Sequence, residues 1–325
     1  MATLKDIAQR AGVTATTVSR VINNRGYISE GTRKKVYAAM EEMHYQPNEL
    51  ARAFSKQYTN TIGLIVPHIS HPFFIKVISN LESSAAEKGF KLLLCNSKEQ
   101  PEKEQDYLDM CISNRVAGIV LCSKYVQTRE FRKMNIPVVN LERGGDDDTI
   151  SVQCDNYQGG KLAAEHLIEC GCKNLLHFGG VAGKDMPADR RADGFLCVCR
   201  ERGIEGEVLL SDRLSYGSMH YESYIEKGLL EHPETDGIFA SSDLIAAQVL
   251  QRLYAMGKRV PEDIKVVGFD DTVIAGITTP SITTIHQPIE EMSELSIAYI
   301  DRRRKGEMVP NVTTMPVSLV VRGSA

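Results

Sequence analysis

Residues Leu4–Asn24 read LKDIAQRAGVTATTVSRVINN, and the reading of the whole chain turns on this stretch. Thr3 and Asp6 form an S/T-x-x-D helix start, with Thr3 as N-cap. Ile7, Ala8 and Ala11 then repeat at helical spacing. Gly12 ends that helix, Val13 plugs the turn, and Thr14 caps a second helix. In the second helix Val18, Val21 and Ile22 share one face, while Ala15, Thr16 and Arg20 share another. Two short helices at an angle are the pattern of a helix–turn–helix, whose second helix enters the DNA major groove N-terminal end first. A helical hairpin in a core gives the same pattern. Position at the N-terminus and local basicity favour DNA.

Outward from this stretch, Ser29 is a candidate N-cap and Val36, Ala39, Met40 and Met43 form the stripe of a third helix, closing a small all-α domain over residues 1–47. Arg33, Lys34 and Lys35 near its start could meet phosphate. The segment 48–60, NELARAFSKQYTN, holds a helix too short to be stable alone, followed by a polar linker. From Thr61 onward apolar strand runs alternate with amphipathic helices. Strands are expected at 61–67, 91–96, 118–123, 137–141, 151–154, 174–180, 208–211, 237–241, 265–269 and 317–321. Helices are expected between most of them, as at Phe74–Glu87, Tyr157–Glu169 and Asp243–Met256. The alternation predicts an α/β core of parallel sheets covered on both faces. Residues 61–325 are numerous enough for two such subdomains.

The chain has 325 residues and a net charge of −4. Residues 1–58 carry +4 and the remainder −8, which suits phosphate contact by the head alone. No apolar run approaches the ~18 residues of a membrane helix. A basic-then-apolar leader pattern is missing, so a cytoplasmic protein is expected. The eight cysteines, Cys95, Cys111, Cys122, Cys154, Cys170, Cys172, Cys197 and Cys199, mostly sit in apolar runs. The two C-x-C pairs do not have zinc-site spacing, so a structural role and no metal are expected.

Ligands of open α/β sheets bind beyond the carboxyl ends of strands. The residues there include His71, Phe73, Phe74, Asp155, Asn156, Arg190, Arg191, Ser242, Asp243, Asp270 and Asp271. Flat rings, carboxylates, an arginine and a hydroxyl suit a polyol. Each residue has a plainer reading: the two phenylalanines as core, Asp243 as an N-cap, Arg190 as a surface charge. Enzymatic readings fail. Around Gly183-Lys184, Phe178 stands where a phosphate loop needs its first glycine, and Asp185 where it needs Ser or Thr. No nucleophile-elbow, zincin or dinucleotide fingerprint is present, and no catalytic residues or cofactor are expected.

The stretches TLKDIAQRAGVTATTVSRVINN, ISEGTRKKV and YQPNELARAF resemble the LacI/GalR family of bacterial transcription regulators. The resemblance continues through TIGLIVPHISHPFF, DNYQGGKLAAEHL, VPEDIKVVGFDD and PSITTIHQPI, across essentially the whole chain. It implies a helix–turn–helix head, a hinge helix and a periplasmic-binding-protein-like core. The expected partners are a second copy of the chain, pseudo-palindromic operator DNA and a small-molecule effector; the expected place is the bacterial nucleoid. Carried over by position, Ala15, Thr16 and Arg20 read bases, while Thr17, Ser19 and Asn23 approach phosphates. Ala51 and Phe54 belong to the hinge in the minor groove. Phe54 stands where most relatives carry leucine. The effector positions are Phe73, Phe74, Asp155, Arg191, Ser242 and Asp270, with Leu214 where some relatives place an aromatic. The segments ISHPFF and DNYQGG resemble the sucrose- and ribose-regulator branch, so a saccharide effector is expected. Activators of the family and members answering to purines or sugar phosphates are the alternatives. No leucine-heptad tail follows Val321, which implies a dimer. A sugar-binding transport protein and a sugar-acting α/β enzyme are the competing classes. The basic head disfavours the first, and the missing catalytic constellation the second.

Overall fold

The structure is a computed structural model that describes residues 2–23, 25–45, 58–123, 125, 136–144, 149–181 and 186–325. The expected hinge helix, with Ala51 and Phe54, lies outside the described residues, as does Gly183-Lys184. The chain divides into two compact units, residues 1–59 and 60–325.

In the first unit, α1 (Leu4–Ala11), α2 (Ala15–Ile22) and α3 (Glu30–Glu42) enclose a core of Ile7, Ala8, Ala11, Val18, Val21, Val36 and Ala39. Each helix begins on a hydroxyl that takes up an otherwise orphaned backbone N–H. Thr3 accepts from the Asp6 N–H while the Asp6 carboxylate accepts from the Thr3 N–H. Thr14 accepts from the Thr17 N–H and Ser29 from that of Thr32. Gly12 ends α1 at φ +67°, a left-handed conformation that glycine adopts without steric cost.

The second unit contains two six-stranded sheets. The first has the order β11-β5-β4-β3-β1-β2 and the second β12-β10-β9-β8-β6-β7. The first five strands of the first sheet are Thr61–Val66, Lys91–Asn96, Gly118–Leu121, Val138–Leu141 and Ile150–Cys154. The second sheet begins with β6 to β9, at Asn174–Val181, Glu205–Ser211, Gly237–Ala240 and Lys265–Asp270. All pairings are parallel except β10 with β12. Central strands β3, β4 and β8 are buried along their whole length, and β3 and β8 read as unbroken apolar runs, whereas β4 buries Asn140 among its apolar residues, satisfied by Thr149 and Arg143.

Among the described residues twelve strands are present where ten were expected. The two missed are β10 (Thr283–His286) and β11 (Val312–Met315); the last, β12, spans Ser318–Val320. The threonines of β10 are fully buried yet satisfied: Thr283 Oγ1 donates to the Ala325 carbonyl and Thr284 Oγ1 to Asp243. A threonine-rich run shows no apolar signal, because its burial depends on partners distant in sequence. β7 also starts three residues earlier than expected, at Glu205, since its first residues alternate at a sheet edge.

Helices α4 (Pro72–Glu87), α5 (Pro101–Ser113), α6 (Asn156–Glu169) and α7 (Arg190–Arg202) follow, then α8 (Arg213–Ser218) and α9 (Glu222–Glu231). The last are α10 (Asp243–Ala255), α11 (Val273–Ile277) and α12 (Ile289–Arg304). The chain passes between the sheets three times: from β5 into α6, from β10 into α12, and from β11 into β12. Each sheet with its helices is a subdomain, and the crossings lie next to strand ends that carry polar side chains.

Candidate functional site

On the head, Thr16 and Arg20 are exposed and Ala15 is half-buried, packed at the edge of the three-helix core. Arg20 Nε reaches the Arg25 carbonyl at 3.4 Å, so the guanidinium lies back along the turn after α2. Thr17 Oγ1 is 2.9 Å from Thr14 Oγ1, and Asn23 Nδ2 donates to the Ser19 carbonyl at 2.8 Å. Thr16, Ser19 and Arg20 lie on the side of α2 away from Val18 and Val21, Ala15 and Thr17 flank that core face, and Asn23 is the C-cap.

In the second unit, Arg191 is the centre of a buried polar cluster. It is 6% exposed. Its Nε donates to Asn156 Oδ1 at 2.7 Å, and Nη1 donates to the Ser241 carbonyl and lies 3.9 Å from Asp270 Oδ1. Its guanidinium stacks over the Phe269 ring at 3.5 Å from the centroid, a favourable cation–π placement. Gln287 Nε2 donates to Asp270 Oδ1 at 2.6 Å. On the other side Asn156 Nδ2 donates to Glu142 Oε2 at 3.0 Å, and the Cys154 N–H donates to Glu142 Oε1. These groups come from the ends of β4, β5, β8, β9 and β10 and from the first turn of α7, so both sheets contribute.

The placement of Arg191 follows from two glycines. A Cβ on Gly160 of α6 would stand 2.0 Å from the Arg191 carbonyl oxygen, and one on Gly194 of α7 would stand 2.0 Å from that of Tyr157. The helices therefore touch backbone to backbone. Arg191, one turn before Gly194, is held against Asn156 at the start of α6.

Burial pushes the Asp270 carboxyl well above the usual carboxylate range; Arg191 opposes this and Asp243 adds to it. Asp270 also has φ +107° and Asp271 φ +51°, a strained pair at the strand end. Burial lowers His71 to about 4, assisted by His68 and Arg191. His71 caps α4 by accepting the Phe73 N–H, which requires a bare ring nitrogen.

Phe73 and Phe74 are buried, edge to face at 5.1 Å, within the larger apolar cluster. Ser242, not Asp243, is the N-cap of α10, accepting the Ile245 N–H. Asp243 instead accepts from the Thr272 N–H and hydroxyl and from Thr284, and burial raises it to about 6. Asp155 caps α6 through the Gln158 N–H. It lines a neighbouring cleft of about 450 Å³ with Gly144, Gln153, Tyr157, Met186 and Arg190. Arg190 is exposed and pairs with Asp193, the surface charge expected. Leu214 is 81% exposed. The aromatic two residues later, Tyr216, meets the His68 ring edge-on at 5.7 Å. Glu142, Gln287 and Tyr216 were missed by sequence reasoning, and Asn156 was noted only as a neighbour of Asp155. Glu142 directly follows an apolar strand, which could have signalled it. Among the described residues no group of His, Cys, Asp and Glu could hold a metal ion, and no helix is long and apolar enough to cross a membrane.

Residues 3–48 match the family of bacterial regulatory proteins named for lacI, and residues 164–325 match the periplasmic binding protein-like domain. The chain is 36% identical to the ribose operon repressor of Halalkalibacterium halodurans, over 99% of this chain and 96% of that one. It is also 36% identical to the sucrose operon repressor of Pediococcus pentosaceus, over 98% and 97%. A solved periplasmic binding protein/LacI transcriptional regulator from Alkaliphilus metalliredigens, complexed with D-xylulofuranose, matches with a TM-score of 0.73 and 34% identity, over 82% of this chain and 99% of that one. A head with exposed second-helix residues, a two-sheet core with a buried polar cluster and likeness along the full chain lead to one assignment: this chain belongs to the LacI family of DNA-binding bacterial transcription regulators.

Proposed function

We propose that the chain is a repressor that binds pseudo-palindromic operator DNA as a homodimer and answers to a saccharide held between its two sheets. The observation that carries the effector reading is the buried Arg191–Asp270 pair, flanked by Asn156, Gln287 and Glu142 at strand carboxyl ends. Such a set presents donors and acceptors at fixed angles, as vicinal hydroxyls require. Phe73 and Phe74 supply the apolar wall, and Ser242 keeps its hydroxyl proton available while capping α10. Asp155 acts through the helix it caps. Support for a saccharide comes from the ribose and sucrose operon repressors and from the xylulofuranose complex.

On DNA, Ala15, Thr16 and Arg20 read bases, and Thr17, Ser19 and Asn23 approach phosphates. Arg20 has the fork that suits guanine, a contact contributing about 1–3 kcal/mol of discrimination. Phe54 and Ala51 complete the reading at the hinge, where an inserted ring kinks the minor groove. The effector shifts operator affinity only by its different affinities for the two arrangements of the subdomains.

The test is a melting-temperature screen of the full chain against mono- and disaccharides, sugar phosphates and purines. Binding to the folded state alone adds about 2.7 kcal/mol at a hundredfold excess over Kd. A sugar is expected to raise the melting temperature, and the rise is expected to vanish in Arg191→Ala and Asp270→Asn. A shift from a purine alone, or one that survives both substitutions, overturns the saccharide cleft.

A further inference from the structure

We propose that Asn156 is the positioning residue that joins the two subdomains across the cleft. Its side chain uses both amide donors and one lone pair of its oxygen. Nδ2 donates to Glu142 Oε2 at 3.0 Å and to the Cys154 carbonyl at 3.2 Å, and Oδ1 accepts from Arg191 Nε at 2.7 Å. The amide orientation is dictated by the partners, because a carboxylate only accepts and a guanidinium only donates. Glu142 and Cys154 end strands β4 and β5 of the first sheet. Arg191 belongs to α7, which packs on the second sheet. Asn156 itself opens α6, immediately after the first crossing, and α6 is locked to α7 by Gly160 and Gly194. The Asn156–Glu142 bond is therefore a contact between subdomains, and the Asn156–Arg191 bond a contact within one.

The place needs a side chain that both donates and accepts. Aspartate lacks the donor for Glu142, and a hydrophobe leaves a buried carboxylate and a buried guanidinium each short of a partner, the costly case for buried charge. Asn156 is 3% exposed and Glu142 8%, so water does not replace the bond readily. A rotation of one sheet against the other loads the Glu142–Asn156 bond, and Asn156 passes that load to Arg191 through its own amide plane. The inference rests on the cleft reading for its consequence, since Arg191 is the effector residue proposed above, but the joint itself is testable without any effector.

The experiment reverses the polarity of the bond. Asn156→Asp keeps the acceptor for Arg191 and sets a carboxylate against Glu142. The melting temperature of the full chain at pH 7.5 is expected to fall by about 5 °C, with an increased radius of gyration in small-angle X-ray scattering. The double variant N156D/E142Q returns a donor, now the amide nitrogen of residue 142, while its single amide oxygen still accepts the Cys154 N–H; only the bond to the Cys154 carbonyl stays lost. It is expected to recover most of both losses. A melting temperature unchanged in N156D, or a double variant no better than N156D, overturns the joint. Titration of D-ribose, sucrose and D-xylulose into the same proteins separates this from the cleft reading. Absence of any sugar response in a parent chain whose joint behaves as expected counts against the saccharide only.

Discussion

His177 shows how one buried side chain ties stability to pH. Its ring stacks on Phe239 at 4.4 Å between centroids and its Nδ1–H donates to the Phe239 carbonyl at 2.9 Å. Burial lowers its pKa from 6.5 to about 4, as it does for His71. Between those values the unfolded chain binds more protons, so the stability each histidine contributes is complete above pH 6.5 and declines as acid is added towards about 4. Asp243, raised from 3.8 to about 6, has the opposite sign: its destabilising share is absent below 3.8 and grows up to about 6. The two effects overlap, so the useful measurement is a difference. In His177→Gln, which retains a donor, the loss of stability between pH 6.5 and 4.5 is expected to be smaller than in the parent by up to about 3 kcal/mol. Denaturant curves at both pH values provide the check, and parallel pH dependence in the two proteins would count against the buried neutral imidazole. At this scale the sequence singled out Asp270 by its strand end and Arg191 by its R-x-x-G segment, and the two lie together in the buried cluster. It passed over Gln287, whose strand was not visible, and it misplaced the α10 cap by one residue. Ser242 and Asp243 both have the chemistry to cap, and only the fold sends Asp243 towards Thr272 and Thr284.

Helix pairing is the next level, and α6 against α7 is the pair on which the cleft depends. With a built Cβ only 2.0 Å from a backbone oxygen at both Gly160 and Gly194, neither position accepts a methyl without separating the helices. Gly194→Ala is expected to destabilise the core by roughly 3 kcal/mol and to abolish any sugar-induced rise in melting temperature. Gly217→Ala, where a Cβ meets nothing within 4 Å, is the control that leaves the response in place. An unchanged response in Gly194→Ala would show that Arg191 does not need the close approach. The sequence marks Gly194 only as the end of an R-x-x-G run. That the glycine faces a carbonyl of another helix is a tertiary fact. The head is different: all three caps and its core stripe were legible beforehand, because a cap and the N–H it satisfies lie three residues apart.

Across the whole molecule, an apolar face coincides with a contact between subdomains. Lys76 of α4 donates to the Asp271 carbonyl, two residues before α11, at 3.0 Å. Next to that contact Ile75 is 54% exposed, and Val273 and Ile277 are each 73% exposed. Large exposed apolar side chains suit an association surface, and we assign these three to the proposed homodimer. Val273→Asp combined with Ile277→Asp is expected to shift the chain from dimer to monomer in sedimentation velocity while the core keeps its melting cooperativity. A doubly substituted chain that remains dimeric would move the interface elsewhere. Operator binding should weaken in the same variant, because each half-site is read by one head and the second head no longer raises the effective concentration of the first.

The sequence by itself determined the head and the parallel α/β class. These rest on caps, turns and apolar periods whose partners are within one element. It also marked most residues around the cleft by their place after strands. The tertiary structure alone decided which of those residues meet. Asn156 turned to Arg191 and Glu142, Asp155 to its own helix, and Asp243 to two threonines, although they are neighbours of similar chemistry. A hydrogen bond between residues 35 positions apart, as for Asn156 and Arg191, depends on how sheets and helices stack, and no local pattern encodes it.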